Sequence, residues 1–446
     1  MNSPKIYPID RIVSPLQRFI KQEKSGGIVL GISVVIALFL ANSPWSESYF
    51  HFFEHRLGFQ YDGRPYLEYS LHHWINDGLM AIFFFVVGLE LKREIVGGEL
   101  ANPRKAMLPI AAAIGGMIAP ASIFLLFNPT GEAHAGWGIP MATDIAFALG
   151  VLYLLGKRIP LALKVFLTAL AIIDDLGAVL VIAFFYTSDI SIVSLLIGLG
   201  CAAIMFAGNL LGVRNILFYG ALGIVGVWTA FLLSGVHATI ASVLAAFTIP
   251  ADVSIRENTL IIKIQYYLNQ FKGVDPNDKI PTLTGAQLQI LEKVIEDTRG
   301  AIPPLQRLEH SMHPFVTFLI IPIFALANAG VSLSLDMEHL FSTNIAIGVG
   351  LGLLVGKVIG IVGATLLVVK LRLAPFPSGM NIKNLFGLGL LAAIGFTMSL
   401  FITSLAFTTE EYIAQAKIGI FAASIIGGIL GYLVLSKTNP PEEKLQ

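Results

Sequence analysis

Charge and cysteine are what this sequence has least of. Only 13% of its 446 residues are Asp, Glu, Lys or Arg, about half the share found in ordinary soluble domains. Acidic and basic residues number 29 each, so the formal charge is zero and no global field draws nucleic acid or an acidic partner. The single cysteine, Cys201, lies in an apolar run, which excludes a disulfide framework. No basic, then apolar, then small-residue pattern precedes Ser25, so a cleaved signal peptide is not expected.

What fills the space is apolar. The chain is 55% hydrophobic with a mean hydropathy of +0.76, and several runs meet the roughly 18 residues needed to cross a hydrocarbon core. Reading these runs between polar or Pro/Gly breaks gives an all-α integral membrane protein with twelve candidate spans: 25–41, 71–91, 105–127, 136–156, 160–186, 190–210, 214–234, 236–250, 313–333, 343–369, 382–406 and 411–436. With the N-terminus in the cytoplasm, nearly all of the 29 Lys and Arg fall on the inner side. Outer loops hold only Arg56 and Arg64, while Lys357 and Lys417 lie within spans. An odd number of helices would destroy that bias, so both termini are expected inside.

The expected organisation is a polar segment 1–24, a membrane domain 25–436 and a tail 437–446. Within the first segment, Ile12, Leu16, Phe19 and Ile20 alternate with basic residues, which suits either a helix lying on the bilayer or a solvated tail. Two connections stand out. Residues 48–69 are rich in aromatics around Asp62-Gly63, a turn signal that predicts a small external β-hairpin. The long connection 251–312 is polar and cytoplasmic, and Thr284 with Gln287 reads as a capping box opening an amphipathic helix.

Ionisable residues inside spans are costly and usually line an ion path. Six are singled out here: Asp77, Glu90, Asp144, Asp174, Asp175 and Lys357. Glu90 lies close to Lys92, Arg93 and Glu94, where an interfacial position is an equal reading, and Asp77 stands near the outer end of the same helix. Asp174 and Asp175 have no Lys or Arg near them in sequence and must find partners on other helices. Adjacent helical residues point about 100° apart, so both carboxylates can border one aqueous cavity. Close, buried carboxylates hold protons more tightly, and hard cations compete for the same oxygens. Lys357 is read as the deep counter-ion, a proton carrier, or both.

Asp144 follows Gly136, Gly138 and Pro140, which weaken the helix, and a second break is expected at Gly395 to Ser399. Interrupted helices in corresponding places of two halves point to a transporter site at the midplane. Asp144 could then neutralise facing helix N-termini, Lys357 facing C-termini, and Thr143 could approach an ion. Adjacent acids without a Gly-x-Gly-Asp string do not fit an intramembrane aspartyl protease, and a fixed lysine with two breaks favours occlusion over an open channel. A sodium-coupled organic-solute symporter remains the alternative.

The strings carrying these residues resemble the NhaA-type sodium/proton antiporters over about residues 20–435. They are Asn76 to Ala81, Val87 to Glu94, Ala142 to Gly150, Ala171 to Gly177, Ser234 to Thr239 and Gly395 to Ser399. The resemblance implies two inverted repeats whose broken helices cross at the midplane. It also implies Asp175 as principal ligand of Na+ or Li+, Asp174 as its partner paired with Lys357, and Thr143 and Asp144 supporting the crossing. Asp77 would lie toward the outside. Glu90, Arg93, Glu94, His237, Glu309, His310 and His313 would take part in a pH response. Glu309, His310 and His313 are spaced as one helical face before Pro314. A homodimer through the 48–69 hairpin, exchange of more than one H+ per Na+, a bacterial inner-membrane location and the lipid bilayer as surroundings are also implied, with no cofactor. The connection 251–312 is the departure from the pattern.

Overall fold

Where lipid replaces water, every backbone N–H and C=O must be satisfied within the protein, and long apolar runs meet that demand as helices. A computed structural model describes residues 24–61, 64–187, 190–274, 282–332, 343–377 and 379–438. The expected segments 1–24 and 437–446 therefore lie almost wholly outside the described residues.

The chain opens with α1 (Lys24–Ala41), which turns by 112° into the short α2 (Ser46–Glu54). Two antiparallel strands follow, β1 (Arg56–Tyr61) and β2 (Arg64–Ser70), paired from Arg56 with Ser70 to Tyr61 with Arg64. The hairpin is thus shorter than expected: 48–54 is helical, because Tyr49 and Phe53 recur at i and i+4 and bury one face. A π-turn, Trp74–Leu79, leads into α3 (Met80–Gly97). Then come α4 (Pro103–Phe127), a 3-10 stretch Glu132–Met141, α5 (Ile145–Leu154), α6 (Leu161–Phe185), α7 (Ile192–Leu210), α8 (Ile216–Leu232) and α9 (Ala238–Thr248).

Between α9 and the next membrane segment, α10 (Glu257–Gly273) and α11 (Gly285–Ala301) form a helical hairpin. Its second helix starts with the expected capping box of Thr284 and Gln287. Lys263 Nζ and Tyr267 Oη both donate to Asp297, at 2.9 and 2.8 Å, and hold its carboxyl below the ordinary carboxylate range. The chain closes with α12 (Pro304–Asn328), α13 (Asn344–Lys370), α14 (Ile382–Ala392), α15 (Phe396–Ala406) and α16 (Glu410–Ser436).

Each expected span thus holds helix. Among the described residues seven helices are long and apolar enough to cross a bilayer, or up to nine if each bent pair counts as one. α9, with 11 residues, is too short to cross alone.

Close backbone approach sets the centre. α4 and α13 cross at Gly115 and Gly360, where a Cβ on either would run into the other backbone. Lys357 lies one turn before Gly360, after the π-turn Gly352–Gly356, with its stem passing Gly116. Glycine at the crossing therefore delivers a lysine to the middle of the protein.

Candidate ion-binding site

α6 runs uninterrupted for 25 residues, and its middle carries Asp174 and Asp175, 0% and 1% exposed. Lys357 on α13, 0% exposed, is ion-paired with Asp174 Oδ2, and the hydroxyl of Thr143 donates to the same oxygen at 2.8 Å. Asp174 Oδ1 and Asp175 Oδ1 are buried and have no hydrogen-bond partner among the described residues. Asp174, Asp144, Glu90 and Lys357 act on Asp175 electrostatically. Buried carboxylate oxygens without donors are costly unless something positive visits them. A proton or a desolvated cation fits that requirement equally.

The support for this pair comes from the two broken helices. The 3-10 stretch Glu132–Met141 ends after Pro140, residues 142–144 are extended, and α5 begins at Ile145. Opposite it, α14 stops at Ala392 and α15 restarts at Phe396, bent by 45°. The backbones meet directly where Asp144 N donates to Ile394 O at 2.6 Å. One Asp144 carboxylate serves both restarting helices, since Oδ1 accepts from Phe147 N at 3.0 Å. Oδ2 accepts from Thr397 N at 2.9 Å and from Thr397 Oγ1 at 2.6 Å. A negative charge between two helix N-termini is favourable at both. Thr143 Oγ1 also lies 3.0 Å from Ala392 O, and Ser399 Oγ donates to Ile139 O at 2.7 Å. The hydrogen bond found for Lys357 goes to Asp174 and not to a helix C-terminus.

A cavity of about 910 Å³ approaches the carboxylates from one side. It is lined by Thr168 and Ile172 on α6, one to two turns before Asp175, and by Glu90, Arg93, Glu309 and His313. Arg93 bridges Glu309 and Glu94, at 2.9 Å each. His310 also lines the cavity, so Glu309, His310 and His313 all border it, with Glu309 buried and the two histidines exposed. His237 and Asp77 are elsewhere. His237 Nε2 lies 2.8 Å from Tyr186 O, and its ring acts electrostatically on Asp77. Of the residues expected to answer pH, Glu90, Arg93, Glu309, His310 and His313 line this cavity, Glu94 is paired with Arg93, and His237 stands apart near Asp77.

The family model for Na+/H+ antiporter 1 matches residues 17–435. The chain belongs to that family. It is 48% identical to the Na(+)/H(+) antiporter NhaA of Oleidesulfovibrio alaskensis over 98% of this chain and 97% of the relative. Identity is 49% to Na(+)/H(+) antiporter NhaA 2 of Syntrophotalea carbinolica, over 97% of this chain and 98% of the relative. It is 47% to Na(+)/H(+) antiporter NhaA 1 of Saccharophagus degradans, over 98% and 94%.

Sequence reasoning missed one member of this arrangement. Thr397, second residue of α15, joins Asp144 through its backbone N and its hydroxyl, and a hydroxyl at a helix start opposite a buried acid is a capping signal. Lys417, the other cation within an expected span, donates to Gly330 O at 3.0 Å beyond the end of α12.

Proposed function

We propose that this protein exchanges Na+ for H+ across a bacterial cytoplasmic membrane, with Asp175 as principal cation ligand and Asp174 as its partner. The carrying observation is the pair of buried carboxylates, each with an oxygen that no donor among the described residues satisfies, in a member of an antiporter family. Proton and Na+ compete for those oxygens, and occupancy by either neutralises charge that lipid and protein cannot otherwise tolerate. Lithium, equally a hard cation, is a second substrate.

The reading includes twelve crossings in two inverted repeats, with both termini and the α10–α11 hairpin in the cytoplasm. The cavity at Glu90 and Glu309 then opens to the cytoplasm and Asp77 toward the outside. Asp144 and Lys357 support the crossing, and the repeats rock about it to expose the site alternately. Glu90, Arg93, Glu94, Glu309, His310 and His313 bias that equilibrium with pH, and His237 contributes from the other side. Two copies pair through their β-hairpins.

If Asp175 and either Asp174 or Lys357 each release a proton when one Na+ arrives, the cycle moves net charge. An imposed Na+ gradient in proteoliposomes at symmetric pH should then create a membrane potential, and clamping it with potassium and valinomycin should speed exchange. Absence of both effects would establish electroneutral transport and leave Asp174 and Lys357 as structure. Na+-driven uptake of an organic solute, without proton movement, would replace antiport by symport.

A further inference from the structure

The start of the second span carries two histidines that the site described above does not use. His72 faces inward. Its Nε2 lies 3.1 Å from Asn328 Oδ1, Asn76 Nδ2 lies 3.4 Å from its Nδ1, and Asn328 Nδ2 donates to Asn76 Oδ1 at 2.9 Å. This closed polar ring ties the π-turn Trp74–Leu79 to the end of α12. Such turns recur at functional sites because they re-aim side chains.

His73 faces the other way, across the boundary between water and protein. Its Nε2 lies 3.1 Å from Asp77 Oδ2, one turn on, and that nitrogen is buried, yet the side chain as a whole is 40% exposed. Tyr69 of β2 stacks on the ring at 4.3 Å and 22°, holding it over the acid. The two atoms are within reach but not aligned as a hydrogen bond, so a small ring rotation makes the contact. The other titratable group acting on Asp77 is His237, whose Nε2 is engaged at Tyr186 O, and α12 presents the neutral Asn328 to this turn.

We propose that His73 is a further residue of the ion path, carrying protons between the water on the hairpin side and Asp77. The imidazolium gives its Nε2 proton to the Asp77 carboxylate and becomes neutral. It is reprotonated from water once the acid has passed its proton inward. Imidazole suits the step because it changes charge near neutral pH, where a carboxylate facing water holds few protons. The ring of His72, Asn76 and Asn328 fixes the turn, so that His73 and Asp77 meet on its outer face.

The inference rests on the antiporter reading, and the test separates the two. Right-side-out vesicles containing the full-length protein are loaded with Na+, and initial Na+ efflux is followed as bath pH is varied. His73→Gln should slow efflux at least about tenfold at mildly alkaline bath pH and recover toward the unsubstituted rate as the bath is acidified. His73→Ala should behave alike and be accelerated by imidazole added to the bath. In everted vesicles, where the bath meets the opposite face, the dependence on bath pH should be unmoved. A profile unchanged by His73→Gln overturns the proposal. Uniform slowing at every pH without imidazole rescue overturns it as well, because His73 would then only brace Asp77. No proton-coupled Na+ efflux from the unsubstituted protein would instead remove the antiporter reading and this inference together.

Discussion

Replacing Lys357 by Met removes one of the two donors to Asp174 Oδ2 and leaves a fully buried carboxylate held by the hydroxyl of Thr143 alone, at 2.8 Å. Breaking a buried pair on one side costs about 3–5 kcal/mol, because the surviving charge keeps its desolvation penalty and loses its compensation. Exchanging both members for neutral residues of similar size is often close to neutral. Lys357→Met should therefore destabilise the protein by about 3–5 kcal/mol, and Lys357→Met with Asp174→Asn by about 1 kcal/mol or less. The difference, about 2–4 kcal/mol, is what removing the second charge restores; subtracting the Asp174→Asn loss as well gives the coupling energy of the pair. Unfolding in mixed micelles titrated with SDS, followed by tryptophan fluorescence, measures all four corners of the cycle. Methionine fills the stem's space beside Gly116, so a packing defect does not mimic the charge effect. If the double variant is as unstable as Lys357→Met, or the single variant loses less than about 1 kcal/mol, the pair does not hold the centre and the reasoning fails.

Asp175→Asn should abolish Na+-driven exchange while leaving the protein inserted, since an amide cannot alternate between proton and cation; near-normal exchange in vesicles would remove Asp175 from the site. Asp144→Ala should lower the thermal midpoint more than Asp144→Asn, because alanine leaves Phe147 N and Thr397 N without acceptors whereas the amide keeps one carbonyl oxygen. Equal midpoints would mean that the caps are not used. Glu309→Gln should move the pH profile of exchange along its axis more than it lowers the maximal rate, because it releases Arg93 from one of two carboxylates; a uniform fall would assign Glu309 to folding. Asp297→Asn should raise hydrogen exchange in α10 and α11 without altering Na+ transport. With its carboxyl held below the ordinary range, Asp297 supports the hairpin above that range and loses its effect only as pH falls through the depressed value, so its contribution is full and constant near neutrality.

Much of the architecture was written locally. The apolar runs marked helices, Pro140 and Gly395 marked the two breaks, Thr284 and Gln287 marked the start of α11, and of the six ionisable residues singled out within spans Asp144, Asp174, Asp175 and Lys357 are buried. Periodicity and breaker residues act over one or two turns, which is why a linear reading reaches them. The helical form of Ser46–Glu54 was missed because the Asp62-Gly63 turn signal was extended too far toward the N-terminus.

Pairing was another matter. Lys357 lies 183 residues from Asp174, and nothing local decides whether it meets Asp174 or its neighbour Asp175. The crossing of α4 and α13 at Gly115 and Gly360 decides it by fixing where the lysine emerges. Likewise, that one carboxylate caps two helices depends on Asp144 N reaching Ile394 O, a contact between breaks some 250 residues apart. The sequence alone determined which polar groups lipid would force out of contact with the bilayer. Only the tertiary structure decided which of them would meet, because in a low-dielectric interior each must take whatever partner the helix crossings bring within about 3 Å.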